Sequence, residues 1–350
     1  MEMHMKRFGS MRAEWEMKRG TLLSWPHNLE TFPGERLDRV RFVFGKIASA
    51  LSKSEPVFLL VNDAFAQNAA LECISAAGAK MVNIRPIVVR TNDLWIRDYG
   101  PIGVIGTSEE PVMLNWGYNA WGGKYPPFDA DNAVPAQLAE RLGYPAYSPD
   151  MILEGGSIDV NGEGALLTTE TVLLNPNRNP DLSWEDIEAN LTRFLGVDQI
   201  IWLKRGLEGD DTDGHIDDIA RFVNPSTIFA ALPEDKNDVN YPALAENLEI
   251  LRAARQQNGE PFQIEILPMP ECHIEGTTVD GSEFVPASYA NFYIANTSVL
   301  VPAYDERYDA KVEQLFRRYF PNREVVMIPC ADLVWAQGSI HCITQGLIGN

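Results

Sequence analysis

Helix-period and strand-like segments alternate along this chain, and that alternation constrains its fold more than any other feature. Residues 38–51 place Val40, Val43, Phe44, Ile47 and Leu51 at helical spacing. Residues 56–61, Pro-Val-Phe-Leu-Leu-Val, read as a buried strand. Residues 63–77 read as helix and 81–89, rich in Val and Ile, as strand. The pattern returns as helix then strand at 184–195 and 199–203, at 241–256 and 262–267, and at 305–319 and 324–328. Such alternation predicts an α/β protein. A chain of 350 residues admits one large domain or two, and no Gly- or Ser-rich linker divides it. The Pro- and Gly-rich stretch 117–131 predicts a long ordered surface loop of the kind that carries function. The helix–strand units recur at loose intervals without visible identity, so periodicity alone does not define a repeat.

Charge removes several function classes. Twenty-nine Lys and Arg against 49 Asp and Glu leave a net charge of −20. Phosphate backbones and anionic membrane surfaces need clustered cations, so neither nucleic acid nor membrane is expected as a partner. A small cationic ligand is compatible with this field. No run of about 18 apolar residues is present to span a bilayer, and the opening Met-Glu-Met-His-Met-Lys-Arg-Phe lacks the apolar core of a secretory signal. Cys73, Cys272, Cys330 and Cys342 are too few and scattered for a disulfide framework, which predicts a reducing, cytoplasmic setting. The oligomeric state is not set by the sequence, and a homo-oligomer is compatible with it.

Four segments set polar residues among glycines and aromatics. In residues 209–218, Gly-Asp-Asp-Thr-Asp-Gly-His-Ile-Asp-Asp, a calcium loop fails: Gly209 and Ala220 would stand where carboxylates are required. A solvated acidic turn is one reading. The other is an extended run that puts Asp213, His215 and Asp217 on one face, where the flanking carboxylates favour an imidazolium acid/base. In residues 338–345, Ser339 to Thr344 alternate as a strand would, so His341 and Cys342 face opposite sides and His341 is a poor partner for the thiol. Cys342 is either an inert buried thiol or a nucleophile activated by a more distant base, for which His215 is the candidate. The pairs Cys272-His273 and His341-Cys342 lack the spacing of a zinc site, so no metal is expected. In residues 91–101, Asp93, Trp95 and Arg97 alternate, with Asp98 at the turn set by Gly100 and Pro101. A carboxylate beside a Trp face suits a planar cation, although an Asp–Arg pair stitching a loop reads equally well. Glu154 precedes Gly155-Gly156, either a close backbone approach to a ligand or a strand end entering a tight turn.

Together these segments resemble the agmatine deiminase and bacterial-type peptidylarginine deiminase family. The strings that carry the resemblance are 95–101 (Trp-Ile-Arg-Asp-Tyr-Gly-Pro), 154–157 (Glu-Gly-Gly-Ser) and 174–180 (Leu-Asn-Pro-Asn-Arg-Asn-Pro). Residues 212–217 (Thr-Asp-Gly-His-Ile-Asp), 287–294 (Ala-Ser-Tyr-Ala-Asn-Phe-Tyr-Ile) and 340–345 (Ile-His-Cys-Ile-Thr-Gln) complete them. Glu14-Trp15 and Trp25-Pro26 are similar to the family's opening, so the match spans nearly the whole chain in order. The resemblance implies a pentein fold, a five-bladed α/β propeller with pseudo-fivefold symmetry, in one catalytic domain over 1–350.

It also implies a reaction. Asp98 and Asp217 would grip a guanidinium bidentately and keep it oriented. The Cys342 thiolate would attack the guanidinium carbon, and His215 would protonate the departing amine and then activate water on the resulting thiouronium. Glu154 would orient His215, Trp95 would line the substrate, and Asn291 would donate a hydrogen bond near the site. No cofactor is implied. Gln337 and Ser339 depart from the family's Gly-Gly-Gly-Asn before the nucleophile strand, and Lys18 and Leu22 depart from its opening. An enzyme for arginine or peptidyl-arginine should present a cation or an open cleft, and the candidate cations are Arg97, Lys124 and Arg178. The net charge favours the small cation agmatine, with Asp210, Asp211 or Glu208 meeting its distal amine. The alternatives are a deiminase of arginine residues and a non-catalytic guanidine- or polyamine-binding relative. A carboxylate-pair glycosidase would leave Cys342 and His215 unexplained.

Overall fold

The computed structural model describes residues 7–272, 277–279 and 281–349, so the opening residues 1–6 and His273 lie outside the described residues. Its strands form five separate small sheets that share one construction. In each, an antiparallel pair is followed by a helix and then a strand that joins in parallel. Such a join needs a crossover rather than a tight hairpin. Ile102–Gly106 pairs antiparallel with Pro111–Leu114, and the helix Val134–Leu142 leads to Ala146–Tyr147 alongside it. Asp159–Val160 and Ala165–Thr169 are followed by the helix Trp184–Leu195 and the parallel strand Gln199–Leu203. Ala220–Asn224 and Thr227–Ala231 lead through Tyr241–Ala253 to Gln263–Leu267. Tyr293–Ile294 and Ser298–Ala303 lead through Glu306–Tyr319 to Glu324–Pro329.

The fifth sheet joins the two ends of the chain. Gln345–Leu347 pairs antiparallel with Gly20–Ser24. The helices Arg36–Ser52 and Ala64–Ala76 then carry the chain to the parallel strands Val57–Val61 and Ile84–Val88. Gln345 sits opposite Leu22, so the register that seals this sheet also holds the segment just after Cys342.

Local chemistry explains the boundaries. Trp184–Leu195 begins at a reciprocal Ser183–Asp186 capping box and ends at Gly196 with φ 70°. Its Ile187, Leu191, Phe194 and Leu195 are buried in a core with Trp116 and Leu166. The expected helices and strands appear with their ends shifted by at most a few residues; residues 81–83 form a 3₁₀ turn before the strand proper. The repeat that sequence identity did not reveal is therefore present in backbone construction. Among the described residues no helix is long and apolar enough to cross a membrane.

Candidate active site

Cys342 lines a cavity of about 500 Å³ together with Trp95, Asp98, Trp121, Gln337 and Gly338. The segment that carries it is not a strand. Thr344 turns its amide to the His341 carbonyl (3.1 Å) and its hydroxyl to the Ile340 carbonyl (2.9 Å). Asn291 Oδ1 takes the His341 amide at 2.8 Å. These bonds use the groups a ladder would need, so residues 338–344 turn and only Gln345–Leu347 pairs as strand. The expected outcome of alternation nonetheless holds. Cys342 faces the large cavity, whereas His341 lines a cavity of about 70 Å³ with Glu14, Arg97 and Asp159.

Asn291 is placed against the sulfur rather than on the large cavity wall. Its Nδ2 donates to Cys342 Sγ at 3.2 Å and to Asp218 Oδ1 at 2.9 Å. Burial pushes the Cys342 thiol well above its ordinary range, reinforced by the charges of Asp217, Asp218 and Asp98.

Asp98 belongs to a short helical turn, Ile96–Tyr99, not to the turn at Gly100 and Pro101. Its Oδ1 accepts the Gly156 amide at 2.9 Å and its Oδ2 accepts Trp121 Nε1 at 3.0 Å. Burial raises its pKa to about 6, with Asp217 and Glu154 adding to the rise and His215 opposing it. Trp121 comes from the stretch expected as an ordered loop. Residues 117–131 contain the short helical turns Ala120–Gly123 and Asp129–Asn132, and the segment supplies Tyr118, Trp121 and Tyr125 to the cavity.

His215 is buried between carboxylates. Nδ1 lies 3.7 Å from Asp98 Oδ1 and Nε2 lies 3.8 Å from Glu154 Oε2, ion-pair distances rather than hydrogen bonds. Burial disfavours its charge, but Asp98, Glu154 and Asp217 outweigh that cost and lift its pKa to about 10. The ring is therefore an imidazolium at neutral pH. Arg178 anchors Glu154 through a 2.7 Å bond from Nε to Oε1, both side chains being fully buried. Gly156 makes this cluster possible: a Cβ there would stand 2.6 Å from His215 Nδ1 and 2.8 Å from Asp98 Oδ1.

Asp213 does not share the face of His215 and Asp217. Asp213 (φ 71°) and Gly214 (φ 108°) take left-handed backbone that breaks the extended run. Asp213 instead pairs with Lys124 at 2.8 Å and with Arg178. Asp217 lies in a 3₁₀ turn, Ile216–Asp218, buried with its Oδ2 2.6 Å from His341 Nδ1. Burial would raise its carboxyl, but His341, His215 and Arg221 hold it below the usual range.

Several contributors were hard to find in the sequence. Trp121, Arg178 and Glu14 lay in segments already flagged for other reasons. Alternation separates His341 from its neighbour Cys342 and gives no hint of another role, and Arg221 carries no sequence signal. Glu14 accepts from Arg97 and Arg221, each at 2.9 Å, and approaches His341 Nε2 at 3.0 Å. The three candidate cations are all committed. Arg97 binds Glu14 and Gln345, Arg178 binds Glu154 and Asp213, and Lys124 binds Asp213 and the Asp211 carbonyl. Of the acids considered for a substrate tail, Asp211 lines the cavity and accepts from Tyr125 Oη at 2.6 Å. Asp210 is turned to Thr212. Ser339 is tied to Tyr304 Oη at 2.7 Å, Lys18 is buried against the Glu14 and Ile294 carbonyls, and Leu22 is in the core. Among the described residues no group of three or more His, Cys, Asp or Glu is arranged to hold a metal ion.

The model of the Porphyromonas-type peptidyl-arginine deiminase family matches residues 10–347. The chain belongs to this family. It is 37% identical to an agmatine deiminase of Pseudomonas fluorescens, with 96% of this chain and 94% of that protein covered. Among solved structures, the agmatine deiminase of Enterococcus faecalis is 31% identical with a TM-score of 0.88, covering 98% of this chain and 99% of the other. A C. jejuni agmatine deiminase with substrate bound is 30% identical with a TM-score of 0.88, covering 100% and 99%. Family membership makes the chain a hydrolase acting on the carbon–nitrogen bonds of amidines.

Proposed function

We propose that this protein hydrolyses agmatine to N-carbamoylputrescine and ammonia, a step towards putrescine. The observation that carries the reading is the convergence of Cys342, Asp98, Asp217 and His215. The first two share the 500 Å³ cavity, and both Cys342 and His215 lie in the field of Asp98 and Asp217. Agmatine is favoured over arginine because Arg97, Arg178 and Lys124 already face carboxylates or carbonyls and offer nothing to a substrate carboxylate. Of Asp210, Asp211 and Glu208, Asp211 lines the cavity, which supports it as the acid that meets the distal ammonium. The five like-built sheets support a pentein propeller with pseudo-fivefold symmetry, formed by a single catalytic domain.

The chemistry follows from the charges. Asp98 and Asp217 receive guanidinium N–H groups, while Trp95 and Trp121 pack against the planar cation and its alkyl stem. The arriving positive charge offsets the carboxylates that hold the thiol protonated, so Cys342 ionises in the complex and passes its proton to solvent. The thiolate attacks the guanidinium carbon to form a C–S bond. His215, already an imidazolium, gives its proton to the departing nitrogen; the C–N bond breaks and ammonia leaves. The product on Cys342 is an S-alkylthiouronium. Neutral His215 next takes a proton from water as the oxygen attacks the same carbon; the C–S bond then breaks, the hydroxyl proton of the adduct passes to the departing sulfur, and the ureido product leaves with Cys342 restored as the thiol. Glu154, braced by Arg178, keeps His215 charged, and Asn291 steadies the sulfur.

Ammonia release from agmatine, L-arginine and a blocked arginyl peptide, measured on the wild type and on Cys342→Ala, tests the reading. Turnover of agmatine alone, lost in the variant, is the expected result. Turnover of the peptide would replace the substrate, and ammonia from none of the three would leave a binding protein.

A further inference from the structure

His341 is the neighbour of the nucleophile, yet its ring points to the opposite side of the core. Nδ1 meets Asp217 Oδ2 at 2.6 Å and Nε2 meets Glu14 Oε1 at 3.0 Å. Both partners are carboxylate oxygens, so a proton on either ring nitrogen is donated to one of them. Glu14 is itself fixed by Arg97, by Arg221 and by the Ile294 amide at 2.9 Å. Asp217 Oδ1 is buried and has no hydrogen-bond partner among the described residues. One oxygen of Asp217 is thus clamped from behind while the other is left over.

We propose that His341, held by Glu14, is a positioning residue that fixes the Asp217 carboxylate by its hydrogen bond and reserves its Oδ1 for the guanidinium. The proposal rests on the deiminase reading given above. Its basis is the geometry of a buried carboxylate–imidazole–carboxylate chain that ends on a substrate-binding group. His341 lines the small rear cavity and not the large one, so it acts through Asp217 rather than on the substrate. The electrostatics agree. The charged groups facing Asp217 from the packed elements are His341, His215 and Arg221, which favour its ionised form, and Asp98, Asp210, Asp218 and Cys342, which do not. His341 supplies the hydrogen bond that opposes burial most strongly. Asp98, whose side-chain donor is the neutral Trp121 indole, sits instead at about 6. The two carboxylates therefore differ in what is bonded behind them, a histidine ring in one case and an indole in the other.

Two variants test this in the full chain. His341→Asn keeps a neutral donor near Nδ1, and His341→Leu keeps bulk alone. Carbon-13 carboxyl titration in the absence of substrate, with Asp217→Asn assigning the signal, should show the Asp217 midpoint rising by about one pH unit in His341→Asn and about two in His341→Leu. The acid limb of kcat/KM for agmatine should move up with it. At neutral pH kcat/KM should fall on the order of tenfold and a hundredfold, with the Asn variant partly restoring what Leu loses. If His341→Leu does not fold, His341→Asn alone decides. An unmoved Asp217 midpoint in a folded variant, or a loss of activity equal at every pH, overturns the positioning role. A wild type that turns over no agmatine overturns the deiminase reading, and the carboxyl titration still decides the role of His341.

Discussion

Glu154→Gln isolates the charge behind the histidine. Glu154 Oε2 and His215 Nε2 are 3.8 Å apart, both fully buried. Two unit charges at that distance attract by about 4 kcal/mol at an effective dielectric of about 20, equivalent to about three pKa units. Glutamine keeps the shape and the oxygen that accepts Arg178 Nε, and Arg178 retains Asp213 as a counter-charge. Removing the charge alone should therefore bring His215 from about 10 to near neutrality. The chain has five histidines, so the His215 ring can be followed by proton–carbon NMR against a His215→Gln reference. The pH limit of ammonia release should follow it if, as proposed, the departing amine takes its proton from this ring. Stability changes in a defined window. A histidine raised in the folded state stabilises fully below its unfolded pKa of about 6.5, and that contribution disappears as pH rises through about 10. Wild type and variant should differ most in urea melts below about pH 6.5 and converge towards pH 10. A His215 midpoint within about half a unit of wild type, in a folded Glu154→Gln, would refute the electrostatic argument.

Under the proposed mechanism Cys342→Ala should abolish ammonia release while agmatine binding, read by calorimetry, persists, because the contacts that hold Asp98 and Asp217 are untouched. Trp121→Phe removes the donor to Asp98 Oδ2 and keeps an aromatic wall; kcat/KM should fall on the order of tenfold to a hundredfold, as for a lost hydrogen bond to a charged group of about 1.5–3 kcal/mol. Desolvation would raise the Glu14 carboxyl, but Arg221, His341 and Arg97 hold it well below the ordinary range, and Asp217 is also depressed. Stability from these two groups is present above the unfolded carboxyl values of about 4 and should be lost as pH falls below them, visible as acid unfolding that Glu14→Gln makes shallower.

The α/β class and most element ends were legible because their chemistry is local. Ser183 and Asp186 cap a helix, Gly196 ends it, and apolar spacing marks its buried face. The five sheets of like construction were not legible, since equal backbone units here carry different residues. Polar settings and the family strings single out Cys342, His215, Asp98, Asp217 and Glu154, and the structure brings their side chains into one cluster. Their local backbone was misjudged where side chains captured hydrogen bonds. Thr344 and Asn291 turn the segment at Cys342, and the left-handed Asp213 and Gly214 redirect the approach to His215. His341 escaped because alternation correctly separates it from its neighbour, yet nothing local shows that it reaches Asp217, 124 positions away.

The ring of carboxylates around the nucleophile carries a consequence for handling the protein. Guanidinium chloride is a common denaturant, and under the proposed function its cation is the head group that Asp98 and Asp217 would receive. At low concentration it should act as a ligand and raise the melting temperature. Occupancy at a hundred times the dissociation constant adds about 2.7 kcal/mol. At high concentration it should unfold the chain as usual. Urea, uncharged, should show only the second behaviour, so unfolding curves in the two denaturants should part company at their beginnings.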